Sequence, residues 1–340
     1  MAGWQLQDLD LTARSDVLGR LDPRGALLLG CRLDPVLEQR MRAAGALVFP
    51  SLPDVPVDVY RSRLYTPQEL YAGLEGGYHV TPDALAYSWS RSGAGDLRDL
   101  LARSLHDLSI DDALDELLRD RRVVGVMGGH DTPRGSSAYL HAAELGRSLG
   151  RAGLTVATGG GPGAMEAANL GAYLSAAPDD ALPAALELLA AAPEPGAGTA
   201  AWARTAFEVR ARWPGGSASL GVPTWFYGHE PPNVFASDIA KYFGNARRED
   251  VLLHVCTAGV VFLPGRAGTV QEVFQDACEN YYATGTLVPP MVLVGRRFWT
   301  EELPVWPLLQ ALAWDRAMAS HVHLVDLPAE VPSILANSGG

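Results

Sequence analysis

The residues best able to do chemistry in this chain lie in one short segment, VVFLPGRAGTVQE, at positions 260–272. Its apolar start predicts a buried strand, and Pro264, Gly265 and Gly268 predict a turn directly after it. From about Thr269, apolar residues recur at helical spacing, so we expect an amphipathic helix whose free N–H groups face the turn. A helix start of this kind is suited to binding an anion such as a phosphate.

Glu272 is the carboxylate of this segment, and its spacing allows two interpretations. It lies three residues after Thr269, so the two side chains share one face of the helix, beside any anion held by the turn. Because a carboxylate repels a phosphate, Glu272 is better suited to contact the sugar of a phosphorylated sugar than its phosphate. The same Thr-x-x-Glu spacing is also that of a capping box, which only closes the start of a helix. The local sequence leaves both interpretations open.

A second glycine-rich turn, GGGPGAMEAANLGA, occupies positions 159–172. Its glycines could let backbone N–H groups approach a ligand closely, or they could only permit tight packing of helix on strand. Since turns that follow parallel strands lie at one edge of a sheet, we expect the two glycine-rich turns to meet there. The glycines in question are Gly159, Gly160, Gly161 and Gly163.

The elements that must position these turns alternate between strand and helix from Arg122 onward, which predicts an α/β fold with a doubly wound, Rossmann-like parallel sheet. The predicted strands are 123–127, 154–158, 217–222, 260–263, 291–294 and 321–326. Besides the two helices that follow the glycine-rich turns, the predicted helices are 137–149, 179–191, 200–213 and 301–317.

Residues 1–118 are predicted to be a smaller N-terminal α/β extension of unknown role, and residues 119–340 the nucleotide-binding domain. Within the extension, the pattern predicts a strand at 25–31, a helix at 36–44, a strand at 46–50 and leucine-rich linking helices over 96–120.

Two further segments of the larger domain have no clear assignment to the site. The alanine- and proline-rich stretch 177–198 predicts a surface insertion rather than part of a site. The aromatic-rich segment 223–250 could stack a nucleobase, or its rings could belong to the core or to a contact between subunits.

Composition limits the classes of partner. The chain has 27 basic and 39 acidic residues, a formal net charge of −12, which disfavours binding to DNA, RNA or an anionic membrane surface. Cys31, Cys256 and Cys278 lack metal-binding spacing and suit a reducing compartment. The first residues lack a signal-peptide pattern, and no apolar run approaches membrane-spanning length. We therefore expect a cytoplasmic protein without a metal or another cofactor.

Motifs that are absent from the sequence remove several kinds of enzyme. The first strand is not followed by the G-x-G-x-x-G of dinucleotide-binding dehydrogenases, and no P-loop occurs. The sequence GRSLG at 146–150 fits G-x-S-x-G, but it lies at the end of the predicted helix 137–149 and not at the strand-to-helix turn of a nucleophile elbow. A phosphate site with a carboxylate and arginines remains. This set of groups suits cleavage of a glycosidic bond in a nucleotide.

The turns resemble those of the Lonely Guy (LOG) family of nucleoside 5′-monophosphate phosphoribohydrolases and of the related bacterial pyrimidine/purine nucleotide 5′-monophosphate nucleosidases. The resemblance covers roughly residues 122–300. The family's hallmark P-G-G-x-G-T-x-x-E is matched by Pro264, Gly265, Gly268, Thr269 and Glu272, with Arg266 at its second glycine. Its first-strand G-G-H/S and its G-G-G-x-G-x-M-E-like turn are matched by Gly128, Gly129 and His130 and by 159–166.

The resemblance implies hydrolysis of the N-glycosidic bond of a nucleoside 5′-monophosphate, giving free base and ribose 5-phosphate, by a homodimer or larger oligomer. It implies that Glu272 is catalytic together with an upstream arginine, which is Arg248 or its close competitor Arg247. Because Arg266 replaces a glycine, a non-catalytic nucleotide-binding or carrier module is the alternative. The implied phosphate- and nucleotide-binding residues are Gly129, His130, Gly159, Gly160, Gly161, Gly163, Gly265, Arg266, Ala267, Gly268 and Thr269.

Overall fold

The computed structural model describes residues 3–92, 96–227, 230–283 and 288–337, which contain two parallel β-sheets and the helices that pack on them. The strands are β1 (Gln5–Gln7), β2 (Leu27–Leu29), β3 (Leu47–Phe49), β4 (Val123–Met127), β5 (Thr155–Thr158), β6 (Leu220–Gly221), β7 (Asp238–Ile239), β8 (Val260–Phe262), β9 (Met291–Val294) and β10 (Val322–Val325).

The helices range from one turn to six turns in length. They are α1 (Ser15–Leu18), α2 (Pro35–Ala43), α3 (Pro67–Leu70), α4 (Pro82–Ser92), α5 (Leu97–Leu118), α6 (Ser137–Arg151), α7 (Ala164–Tyr173), α8 (Ala181–Leu189), α9 (Thr199–Arg212), α10 (Asn245–His254), α11 (Ala267–Tyr282), α12 (Val305–Ala313) and α13 (Val331–Asn337).

The larger sheet has seven parallel strands in the order β10-β9-β8-β4-β5-β6-β7, and it confirms the predicted doubly wound fold. Strand β4 is central and fully buried, as its run of valines predicts. From β4 the chain builds outward through β5, β6 and β7, and then in the opposite direction through β8, β9 and β10. The reversal beside β4 creates a crevice at the carboxyl edge of the strands, where open α/β sheets bind ligands.

The segment after β8 corrects one of the two interpretations of the Thr-x-x-Glu spacing. Helix α11 begins at Ala267, two residues earlier than expected, and Arg266 occupies its N-cap position without a side-chain cap. Thr269 is therefore the third residue of the helix and not its cap. The capping-box interpretation is wrong, and the role of Thr269 and Glu272 must be sought elsewhere.

Other predicted bounds need smaller corrections. The expected strand 217–222 contains only the two paired residues of β6, and the two-residue strand β7 was not predicted, because pairs this short leave no periodic pattern. The expected helix 301–317 is divided into a π-helical turn at Phe298–Glu302, then α12, then a 3-10 turn at Ala317–His321. Pro304 stands at the first division, where a residue without an N–H cannot continue a helix.

The first part of the chain contains two kinds of structure. Strands β1, β2 and β3 form a small parallel sheet whose own core includes Leu28, Met41 and Val48. In contrast, Tyr71 and Ile110, which lie after this sheet, belong to the same hydrophobic core as the larger sheet. Residues between the small sheet and position 118 thus pack on the larger domain, and the division at 118 stays a prediction.

The aromatic-rich segment contributes to the core. Trp225 and Phe243 are 2% and 7% exposed, and their rings stack with centroids 4.5 Å apart. Of the interpretations offered by the sequence, a place in the core therefore holds for these two rings, whereas Tyr227 is exposed.

Among the described residues, no helix combines the length and the apolar character that crossing a membrane requires.

Candidate functional site

A cavity of about 420 Å³ opens at the carboxyl edge of the larger sheet, beside the ends of β4, β5 and β8. We call it the main cavity. Both glycine-rich turns contribute to it, as predicted, but the turn after β8 contributes more lining residues than the turn after β5. Its lining residues are Gly128, Gly129, His130, Asp131, Gly159, Met165, Tyr227, Glu230, Arg248, Glu249, Arg266, Ala267, Gly268, Thr269, Gln271 and Glu272.

The turn after β8 opens directly to the main cavity. Residues 266–269 all line it, and α11 starts there with no side chain capping its first N–H groups. Gly265 itself packs under this turn, because a Cβ atom at its position would lie 2.1 Å from the Thr269 Oγ1 atom. A glycine at 265 thus lets the buried Thr269 side chain stay at the cavity wall. The uncapped start of a long helix is an anion-binding geometry.

Arg266 is accommodated without distortion where the LOG hallmark has a glycine. Its φ of −111° is open to any L-amino acid, so the backbone does not need a glycine there. The side chain is exposed at the wall of the cavity and leaves the cavity open. Arg266 therefore adds a positive charge beside the first turn of α11.

The turn after β5 is mostly closed. Of its four glycines only Gly159 lines the main cavity, where a side chain would collide with the Met165 sulfur, 2.8 Å from the position of a Cβ atom. The Gly160 N–H donates to Thr158 Oγ1 at 3.0 Å, so it is not free for a ligand. Gly161 and Gly163 also lie outside the lining of this cavity. The structure thus brings one of the four predicted residues to the site.

Arg248 is the arginine that reaches the main cavity. It is 8% exposed, and its Nη1 atom lies 3.7 Å from Glu272 Oε1. The Nη2 atom donates to Asn245 Oδ1 at 3.2 Å, whereas the buried Nε atom has no hydrogen-bond partner among the described residues. Arg247 instead points to α5, where it pairs with Asp111. Of the two candidates, only Arg248 is placed beside Glu272.

A polar network on α10 fixes the position of Arg248. Asn245 accepts from Arg248 and donates to Glu249 Oε1 at 2.8 Å and to the Tyr227 hydroxyl at 3.1 Å. These contacts follow from i, i+3 and i, i+4 spacing on one helix, a signal that could have identified Asn245 and Glu249 from the sequence. Tyr227 lies in a loop without periodicity and gave no such signal.

The N-terminal part of the chain supports the start of α10. Asp107, on α5, accepts from the Phe243 N–H at 3.0 Å and from the Gly244 N–H at 2.8 Å. Gly244 is the N-cap residue of α10 and has no side chain that could cap it. A carboxylate from 137 residues earlier thus satisfies two donors just before the helix that carries Arg248. Nothing in the local sequence around either residue indicates this contact.

Glu272 is the carboxyl group at the centre of the main cavity. Burial raises the pKa of Glu272 from its ordinary value of 4.5 to about 7, with Arg248 opposing this rise and with Glu249 and Glu230 adding to it. Its side chain is 15% exposed, toward the cavity. A carboxyl group with a pKa near neutrality can accept or donate a proton under physiological conditions.

The corresponding glutamate after the other turn has a different environment. Glu166 is fully buried, and Arg134 binds it with two hydrogen bonds, one of them from Nε to Oε2 at 3.0 Å. The remaining Arg134 Nη1 atom donates to Trp202, Ala192 and Thr205. This ion pair ties the turn to α9 and was not predicted, because nothing around Arg134 in the sequence distinguishes it.

The predicted site residues that follow β4 also line the main cavity. His130 and the backbone of Gly129 lie at the wall of the main cavity after β4, and His130 is exposed. Asp131, Glu230 and Gln271 line the cavity as well and were not predicted. Among the described residues, no group of three or more His, Cys, Asp or Glu side chains is arranged to hold a metal ion.

A scan against protein families identifies one local match. Residues 121–177, which contain β4, α6, β5 and α7, match the model of the SLOG cluster4 family. A comparison with curated proteins finds no match.

The solved structures that are similar to part of the chain include two molybdenum cofactor proteins. The molybdenum cofactor carrier protein from Chlamydomonas reinhardtii is 18% identical, with a TM-score of 0.40, over 64% of this chain and 99% of that one. The molybdenum cofactor binding protein from the phototrophic bacterium Rippkaea orientalis is 16% identical, with a TM-score of 0.39, over 64% of this chain and 96% of that one.

Proposed function

We propose that the main cavity binds a phosphorylated ribose compound of the nucleoside 5′-monophosphate class, which makes this chain a nucleotide-binding protein. The observation that carries the proposal is that Arg248 is buried at the cavity wall with unused hydrogen-bond donors. This guanidinium group is 8% exposed and faces the cavity, and among the described residues its one ion-pair partner on another element is Glu272, at 3.7 Å. A buried guanidinium group with unused donors is suited to an anionic ligand, which it can bind through two parallel hydrogen bonds.

The phosphate would lie at the start of α11. The first-turn N–H groups of this helix and the Thr269 hydroxyl are at the cavity wall, and the helix dipole adds a positive potential there. Arg266 lies beside them and Arg248 faces them from α10. The cavity also contains carboxylates, so an anion is favoured only at this end. The ligand therefore has a defined orientation, with its phosphate at α11 and its sugar toward Glu272.

Hydrolysis of the N-glycosidic bond is a second candidate function, and the environment of Glu272 favours it. A carboxyl group whose pKa is about 7 is suited to general acid–base catalysis near neutral pH. Beside a ribose it could orient the attacking water, or as a carboxylate stabilise the positive charge that develops at C1′. The resemblance to the LOG hallmark at Gly265, Thr269 and Glu272 supports the same reaction.

Binding is tested first, by isothermal titration of the full-length protein with AMP, GMP, CMP, UMP and ribose 5-phosphate. We expect at least one nucleotide and ribose 5-phosphate to bind, and we expect Arg248→Ala to weaken both by roughly 10–100-fold, the value of a hydrogen-bonded charge. Arg247→Ala, which removes the neighbouring arginine outside the cavity, is the matched control. Equal affinities of the two variants would contradict the proposed phosphate site.

Hydrolysis is tested by measuring free base after incubation with the nucleotides that bind. If the protein is a hydrolase, Glu272→Gln should reduce the release of base by ~10²–10³-fold, because an electrostatic partner of the transition state is lost, while affinity stays within a few-fold. Glu279→Gln, on the same helix and exposed, is the control. Binding without release of base in the wild-type protein would leave a nucleotide carrier as the function.

A further inference from the structure

A second cavity of about 190 Å³ adjoins the main cavity. The two cavities share three wall residues, His130, Asp131 and Glu230, so a ligand in one can extend toward the other. The rest of the second cavity is formed by residues 132–133 after β4, by Pro162 and Gly163, and by the loop that joins α8 to α9. The proline- and alanine-rich insertion, whose sequence predicted only a surface decoration, thus forms one wall beside the site.

The walls of the second cavity are flat and apolar in large part. They include Pro133, Pro162, Pro193 and Pro195. Trp202 also borders the cavity, but its side chain is fully buried, with the Arg134 guanidinium group 4.8 Å from its ring centroid, so it supports the wall and offers no open face. Surfaces of this kind are suited to the face of a planar heterocycle.

Both cavities are lined by carboxylates, but they differ in their positive groups. The charged side chains that line the second cavity are Asp131, Glu194 and Glu230, and none of its described lining residues is a lysine or an arginine. The main cavity, in contrast, has Arg248, Arg266 and the positive end of α11. A phosphate is thus favoured at the α11 end of the main cavity and repelled from the second cavity. An uncharged ring with N–H donors is favoured in the second cavity, since carboxylates only accept hydrogen bonds.

We infer that the second cavity is the subsite for the base of the bound nucleotide, and that its carboxylates select bases with an exocyclic amino group. The inference rests on the proposed function, since it supplies the other end of the same ligand. Glu194 is a specificity-determining residue in this arrangement. Its carboxylate accepts from an amino group and repels the carbonyl oxygen that replaces this group in an oxo base.

Matched pairs of nucleotides test the inference. CMP and UMP differ in one amino-for-oxo exchange, and so do AMP and IMP. In the Glu272→Gln background, which prevents turnover, titration calorimetry should show the amino member of each pair binding roughly tenfold tighter, the effect of one hydrogen bond to a charged acceptor. Glu194→Gln should bring each ratio close to one, because an amide can both donate and accept. The affinity for ribose 5-phosphate, which has no base, should not change.

Glu187→Gln is the control, because Glu187 is exposed on α8 near the same loop and does not line the cavity. It should leave both ratios unchanged. Equal affinity for the two members of each pair in the parent protein would overturn the inference, and so would ratios that Glu194→Gln does not alter. Binding of ribose 5-phosphate with no gain from any base would overturn the inference alone. Failure of ribose 5-phosphate and every nucleotide to bind would end the proposed function as well.

Discussion

The two glycine-rich turns look alike in sequence, but the structure gives them different tasks. The turn after β8 is open, since residues 266–269 line the main cavity. The turn after β5 is closed, since Gly160 is hydrogen bonded inward and Gly163 packs on the backbone of the turn after β4. Glycine permits close approach in both places, of the Thr269 side chain to Gly265 in the first and of a neighbouring loop to Gly163 in the second. A glycine-rich turn at the correct edge of a sheet is therefore not by itself a ligand site.

The glutamates that follow the two turns show the same difference. Glu166 after the closed turn is buried and fully paired with Arg134. Glu272 after the open turn faces the cavity, and its ion pair with Arg248 is long, at 3.7 Å. A charge that is fully paired contributes to holding the fold, whereas a loosely paired one in a cavity is free to act on a ligand.

The largest effect that can test this comparison is the loss of the closed turn's ion pair. Glu166→Gln should lower the free energy of unfolding by roughly 3–5 kcal/mol, because the Arg134 charge is left buried without a counter-charge. Urea denaturation measures the change. Glu144→Gln, on the exposed face of α6, is the control and should change stability by less than about 0.5 kcal/mol. A loss as small as that of the control would mean that this ion pair does not hold the turn.

Glu272, after the open turn, should make the free energy of unfolding depend on pH. The fold raises the pKa of Glu272 from 4.5 to about 7, so the folded protein binds this proton more tightly than the unfolded chain does. Stability must therefore fall as pH rises through this window and level off above it. Between pH 5 and pH 8 the wild-type protein should lose roughly 2–3 kcal/mol more than Glu272→Gln does, as measured by urea denaturation without ligand.

Other carboxyl groups titrate in both proteins, and comparing the two cancels their contribution. Asp276, one turn further along α11, is such a group, since burial raises its pKa well above its ordinary value. Parallel pH profiles for the two proteins would contradict the buried, weakly paired environment of Glu272.

Packing of the closed turn gives an effect of intermediate size. A Cβ atom at Gly163 would lie 2.5 Å from the Gly129 carbonyl oxygen, and Gly163 has a φ of +72°. Gly153 has a similar φ of +77° but no atom within 4 Å of such a Cβ atom. Both alanine variants carry strain from a positive φ, and Gly163→Ala adds the collision, so it should be less stable than Gly153→Ala by at least roughly 1–3 kcal/mol, the usual cost of overpacking. Equal midpoints of thermal unfolding would show that the turn is not tightly packed.

The smallest effect on stability is expected in the open turn. A Cβ atom at Gly268 would meet no atom within 4 Å, and the residue is helical, so Gly268→Ala should change the free energy of unfolding by no more than about 0.5 kcal/mol. The added methyl group stands at the cavity wall, where the phosphate is proposed to bind. Affinity for ribose 5-phosphate should therefore fall severalfold in calorimetry. Unchanged affinity would place the phosphate elsewhere.

Much of the fold could be predicted from the sequence, because its signals are local. The run of apolar residues in β4 gave its bounds correctly, and the apolar run of β9 did the same. Helix α6 was predicted to within two residues at its C-terminal end. The short strand β7 could not be predicted in this way, and β6 was predicted with bounds that are too wide, since two residues have no period. They exist because neighbouring strands supply their hydrogen-bond partners.

The site was predictable only in part. The amphipathic pattern after the last glycine-rich turn indicated a helix start facing an anion, and the spacing of Glu272 put it on the correct face. The choice between Arg247 and Arg248 could not be made, since neighbours in sequence point about 100° apart on a helix and only the packing of α10 decides which one faces the cavity. The opening of one turn and the closing of the other were equally beyond the sequence.

The sequence by itself determined the alternation of strands and helices in the larger domain, the existence of two glycine-rich turns and the glutamate that shares a helix face with Thr269. These properties depend on residues close together in the chain. The tertiary structure alone decided that Glu166 meets Arg134, that Asp107 supports the helix of Arg248, and that the loop before α9 forms a wall beside the site. Each of these contacts joins residues far apart in the chain, so the packing of the whole core decides them.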